Sequence, residues 1–269
     1  STLVDKYKGK DTFTTFNEGY LFYLQVNFKN NTVANKNVRE ALAYAINRKD
    51  LCENVLKDGS MAATGFVPSQ LSKSPAGKDF RDDADKYVSY DQKKAQEYLD
   101  AAKKELGTDT ITIDLLYGTD ESPMDTMAEY LQGSFSKLKG LKVNMVATVK
   151  KDRIYNREAN GNFQVVCTRW GPDYADPTTY LNLALTDNSN NYGKYANAKF
   201  DALMEQIQKE SDLTKRWDLM IQAEKVMMED MAYIPVFEKG SAALKAKNVK
   251  GLVVVPVGTP YTFKYVKLK

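Results

Sequence analysis

ITIDLLY at residues 111–117, LKVNMVATV at 141–149 and FQVVCT at 163–168 are three apolar, β-branched runs of strand length. Between the first two, Met124 to Leu138 has helical periodicity, and a shorter helical stretch lies near Asp152 to Ala159. Strands that alternate with helices pair in parallel through crossover connections, because the helix must return the chain to the same end of the sheet. The alternation therefore predicts an α/β fold, with a mixed, mainly parallel sheet flanked by helices.

Working outward, Asp91 starts a helix with Ala95, Tyr98, Leu99, Ala102 and Leu106 inward, and Gly107 ends it. Before it, residues 60–90 carry Gly65, Pro68, Pro75 and Gly77 among many polar residues. They read as a long irregular segment of the kind that tends to be functional. Tyr20 to Phe28 (YLFYLQVNF) reads as a strong strand. A helix is expected from Asn37, with Asn37 and Glu40 as a capping box. Val38, Ala41, Leu42, Ala45 and Ile46 form its apolar face, and Gly59 is its stop after Leu51 and Val55. Downstream, helices are expected at Ala198–Glu210 and Thr214–Met231. The Trp217, Met220, Ile221, Met227, Met228 and Met231 stripe of the second reads as a core face rather than an adaptable binding surface. The tail holds three β-like runs, YIPVFE, GLVVVPV and YTFKYVKL, and residues 1–19 read as a polar linker or hinge.

Composition excludes several chemistries. The 269 residues contain no histidine, so a Ser-His-Asp triad, a Cys-His dyad and a histidine zinc site cannot be built from them. With 38 basic and 35 acidic residues the net charge is +3, too small to favour nucleic acid or an anionic membrane. No run of about 18 apolar residues is present, and Ser1 to Asp5 has no signal-peptide pattern. Cys52 and Cys167 are expected to be free, buried thiols. Neither a cofactor nor a metal is expected.

The informative segment is Thr168-Arg169-Trp170-Gly171-Pro172-Asp173-Tyr174-Ala175-Asp176-Pro177. It follows a buried-looking strand, and ligands of open α/β sheets bind beyond the carboxyl ends of strands. A carboxylate beside a large aromatic suits an amphipathic ligand with a cationic end. From the residues alone a second reading stays open: Trp170 packs in the core and Asp173 caps the helix that starts near Pro177.

Six pieces in order carry a family resemblance: the Tyr20 strand with Asn35 through Arg48 (NKNVREALAYAINR); Gly65-Phe66-Val67-Pro68; the LLY strand ending at Tyr117; Arg169 to Pro177 (RWGPDYADP); Asn191 (or Asn190), Tyr195, Asn197, Phe200, Asp201, Leu203 and Met204; and Ile234 to Phe237. Over roughly residues 20–245 the chain resembles the second lobe of the family 5 extracellular solute-binding proteins, the oligopeptide and dipeptide receptors of ABC importers. The resemblance implies a periplasmic-binding-protein-like (type II) lobe, one of two that close on ligand around a hinge. It implies residues 1–19 as hinge, 20–235 as the ligand-binding lobe and 236–269 as a return segment that joins an N-terminal lobe lying outside these residues. It also implies that Asp173 holds the α-ammonium of an oligopeptide, and that Thr168, Arg169, Trp170, Gly171 and Tyr174 line the ligand. Arg157 is the nearest match to a basic residue that receives the peptide carboxylate.

The implied partners are an oligopeptide, the importer's permease subunits and the N-terminal lobe. Nucleic acid is not expected, and membrane contact is expected only through a lipid anchor outside these residues. The implied place is extracellular, as a lipoprotein on the outer face of the membrane, or periplasmic. Alternatives are a peptide-pheromone or nutrient-sensing role, a nickel receptor (disfavoured by the lack of histidine) and a sugar receptor (disfavoured by Asp173). An enzyme using Asp82 and Asp83 as acid and base is the alternative from another class, and no catalytic residue is expected.

Overall fold

The computed structural model describes residues 2–10 and 12–269; Ser1 and Asp11, part of the expected linker, lie outside the described residues. Six strands form one sheet: β1 (Phe13–Val26), β2 (Met61–Ala62), β3 (Ile111–Gly118), β4 (Leu141–Thr148), β5 (Val165–Trp170) and β6 (Tyr233–Leu244), in the order β2-β6-β1-β5-β3-β4. The sheet is mixed. β3 is parallel to both β4 and β5, where the Met124–Phe135 helix and the short turns after β4 make the crossovers. β1 runs antiparallel to β5 and β6, and β2 antiparallel to β6.

β1 is central, paired with β6 on one edge and β5 on the other. Its residues Leu21 to Val26 are all buried, which explains a continuous apolar run in place of alternation. The strand starts at Phe13, ahead of the expected Tyr20. Phe13 to Asn17 pair with the far end of β6, from Leu244 to Gly240, as a two-stranded ribbon extending past the sheet. The register slips between Asn17 and Leu21. There Gly19 has φ +81°, donates its N–H to Asn17 Oδ1 at 2.7 Å, and accepts on its carbonyl from the buried Tyr180 hydroxyl. β6 runs unbroken across Val236, and four short strands in the tail form two small ribbons.

The first long helix spans Lys36–Ala45, and its cap is Asn35 rather than Asn37: Asn35 Oδ1 accepts from the Val38 N–H at 3.2 Å. Asn37 donates instead to Glu105 at 2.8 Å. The expected apolar face, Val38, Ala41, Leu42, Ala45 and Ile46, is buried. The helix ends before Ile46, and a wide π-helical turn over Leu51–Leu56 follows. Two arginines of this segment are also buried. Arg39 donates to the Asp230 and Met231 carbonyls, tying the helix to the turn before β6, and Arg48, just past the helix, donates to the Pro235 carbonyl at 2.7 Å, near the start of β6. Burial lowers the Arg48 pKa to about 9.

The irregular 60–90 segment is a packed strap. Phe66, Val67 and Phe80 are in the core. Glu224, fully buried on the Leu213–Glu229 helix, accepts from the Phe66 and Val67 N–H groups at 2.8 Å each and meets Arg81. Asp82 and Asp83 have different surroundings: Asp83 accepts from Trp217 Nε1 at 3.1 Å, and Asp82 is exposed. Trp217, Met220, Met227, Met228 and Met231 are core residues, while Ile221 is partly buried against them. Cys52 and Cys167 are buried and free. Among the described residues no helix is long and apolar enough to cross a membrane.

Candidate functional site

Parallel pairing brings the carboxyl ends of β3, β4 and β5 to one sheet edge. Beyond that edge lies a cavity of about 280 Å³, whose wall includes Tyr20, Glu121, Lys150, Arg153, Arg169 and Trp170. Glu121 follows β3, Lys150 and Arg153 follow β4, and Thr168 to Trp170 end β5. This is where α/β sheets present ligand groups.

Arg153 organises the wall. It is 2% exposed, and its Nε and Nη2 donate to Glu121 Oε2 at 3.2 and 2.9 Å. Its Nη1 meets the buried Glu158 carboxylate and donates to Thr168 Oγ1 at 3.1 Å. Burial pushes the Glu158 carboxyl up to about 7 against the opposing pull of Arg153. Arg169 stacks its guanidinium over the Tyr20 ring, 4.9 Å from the centroid. Gly171 is required at its position: a Cβ there would lie 2.4 Å from the Tyr20 ring.

Of the sequence-derived residues, Thr168, Arg169 and Trp170 line this cavity. Trp170 is half-buried against the core, yet its Nε1 is buried without a hydrogen-bond partner. Asp173 and Tyr174 lie on the exposed loop just past Trp170, outside the cavity lining. Tyr174 accepts on its hydroxyl from Asn182 Nδ2 at 3.1 Å. Arg157 is not brought to the cavity; it is exposed and pairs with Asp152 at 3.3 Å.

The two aspartates of DYADP have different fates. Asp176 takes both guanidinium nitrogens of Arg216, at 2.6 and 3.0 Å, and its Oδ1 caps the Thr178 N–H at 3.0 Å. Burial raises its pKa, but the bonds from Arg216 and Thr178 outweigh this and hold it below the usual carboxylate range. Pro177 holds the N-cap position of the Thr178–Leu181 helix, and Asp176, rather than Asp173, bonds the helix's first N–H from the residue before it. The Asp173 backbone N–H donates to Thr179 Oγ1 at 3.0 Å, which fixes the loop. The Asp173 carboxylate is exposed and makes no hydrogen bond or ion pair among the described residues.

Sequence reasoning missed Glu121, Lys150, Arg153 and Glu158. A usable signal was present: charged residues directly after β3 and β4, at the end where ligands bind.

The family model for bacterial extracellular solute-binding proteins, family 5 Middle, matches residues 2–192. The dipeptide-binding protein of Lactococcus lactis subsp. cremoris is 31% identical over 99% of this chain and 50% of its own length. The substrate-binding domain of an oligopeptide ABC transporter from Bacillus anthracis superposes with a TM-score of 0.85, at 32% identity, over 98% of this chain and 52% of that one. OppA of Listeria monocytogenes, solved bound to peptide, gives 0.83 at 31% identity over 100% and 52%. The chain thus spans about half the length of these relatives. The fold they share is the expected periplasmic-binding-protein-like, type II lobe. With a family match over most of its residues, the chain belongs to the bacterial extracellular solute-binding proteins of family 5.

Proposed function

We propose that this chain is the lobe of an oligopeptide receptor that holds the peptide's α-ammonium through Asp173 and delivers the peptide to an ABC importer. One observation carries the reading: of two neighbouring aspartates beyond the ligand-binding edge, Asp176 is consumed by Arg216 and Thr178, while Asp173 is left exposed and unpaired on a fixed loop. A carboxylate held ready and unsatisfied is what an incoming ammonium requires, since no internal bond must be broken first.

Residues near the β1–β6 ribbon serve as hinge, and a second lobe closes over the ligand. Closure desolvates the Asp173–ammonium pair and strengthens it. The Trp170-Gly171-Pro172 backbone lies along the extended peptide, so affinity comes from the main chain and sequence tolerance is broad. The protein acts as a receptor, without making or breaking a bond. It works outside the cytoplasmic membrane, held there by a lipid anchor, and meets the permease subunits when loaded.

The test is thermal stabilisation of the full-length protein by ligand pools. A pool of free peptides should raise Tm, rising with the logarithm of concentration above Kd, because ligand binds only the folded state. The same pool after N-acetylation should not. Stabilisation by sugars or nickel in place of peptides would overturn the reading.

A further inference from the structure

The cavity beside Trp170 has a charge pattern that the ammonium anchor does not use. Its wall holds three cations, Lys150, Arg153 and Arg169, against two carboxylates, Glu121 and Glu158. Arg153 engages Glu158 and the Oε2 atom of Glu121. Lys150 and Arg169 are left with one carboxylate oxygen between them, Glu121 Oε1, at 3.4 and 3.7 Å. Both distances exceed those of charge-assisted hydrogen bonds, and Oε1 itself makes none. The Glu121 side chain is only 3% exposed. Lys150 and Arg169 stay reachable, with side chains 47% and 31% exposed.

We propose that this cavity is a side-chain subsite for an acidic residue of the bound peptide, with Lys150 and Arg169 taking its carboxylate. The proposal rests on the peptide reading above. A space of about 280 Å³ admits a glutamate or aspartate side chain with water to spare. A carboxylate there gives Lys150 and Arg169 an acceptor of their own and relieves their sharing of Glu121 Oε1. A lysine side chain would enter a wall with excess positive charge and would have to displace both cations from Glu121.

The experiment is calorimetric titration of the full-length protein with an alanine peptide in which one glutamate is walked through the first four positions. Glutamine and lysine counterparts are titrated alongside. At one position glutamate should bind about tenfold tighter than glutamine, with lysine weakest. Lys150→Gln, at a half-exposed site, should shrink that ratio, and Lys150→Gln with Arg169→Gln should abolish it. Equal affinity for glutamate and glutamine at every position, with the all-alanine peptide still bound through Asp173, overturns the subsite and leaves the peptide reading intact. A preference for lysine overturns it in favour of Glu121 as the ligand contact. Failure of every peptide to bind overturns the peptide reading and the subsite together.

Discussion

Arg216 grips Asp176 with both terminal nitrogens, at 2.6 and 3.0 Å, three residues past the unpaired Asp173. The same loop thus contains one aspartate spent on structure and one left for a ligand, and the two should respond oppositely to mutation. Asp176→Asn should lose about 1–3 kcal/mol of stability by denaturant unfolding at pH 7, since it removes one side of a half-buried bidentate pair. Asp173→Asn should stay within about 0.5 kcal/mol of wild type. Because the folded Asp176 pKa is depressed, its contribution is present above the ordinary carboxylate value and is lost as pH falls through the folded value. The Asp176→Asn deficit should therefore vanish in acid.

Glu158 should give the opposite slope. Its folded pKa is raised from 4.5 to about 7. A proton is therefore bound more tightly by the folded state, and stability is greatest below 4.5 and is lost as pH rises through about 7. Relative to Glu158→Gln, wild type should lose on the order of a few kcal/mol across that window. Unfolding of both proteins at pH 4.5, 6 and 8 checks the slope, and parallel curves would contradict it.

Gly171 and Tyr20 should couple. A methyl group at Gly171 meets a ring rather than a flexible chain end, 2.4 Å away. Gly171→Ala should therefore destabilise by about 1–3 kcal/mol. Adding Tyr20→Ala should recover part of that loss, giving a non-additive double-mutant cycle.

Breaking the Glu224 brace should cost more. Glu224→Ala leaves Arg81 unpaired at a site where its side chain is largely buried, and frees the Phe66 and Val67 N–H groups. A loss of about 3–5 kcal/mol is expected in chemical denaturation.

These residues also mark what could be read from the sequence. The alternating section from Ile111 was legible because burial imposes its own period, and the parallel pairing of β3 with β4 and β5 agrees with it. The start of β1 was not legible. Phe13 to Asn17 are held by pairing with the end of β6; only Asn17 of the five is fully buried, so they leave no apolar pattern. The Asn35 cap was misplaced by two residues because Asn35 and Asn37 are chemically alike, and only backbone geometry separates them. At the site, the RWGPDYADP segment was found as a local motif. From the residues alone, without the family resemblance, Asp173 and Asp176 could not be told apart, since the Arg216 that takes Asp176 lies 40 residues away in the chain. The Arg153–Glu121 pair spans 32 residues, from the turn after β3 to the helical turn after β4, and the parallel register of the two strands brings them together.

The most direct measurement is calorimetric titration of the full-length protein with one mid-length peptide, free and N-acetylated, in wild type and Asp173→Asn. The account predicts that the free peptide binds wild type, and that acetylation or Asp173→Asn each removes about 2–5 kcal/mol of binding free energy. The two losses should not add, because they break the same pair. Equal binding of the free and acetylated peptides would contradict the account and return Asp173 to the role of a surface loop residue.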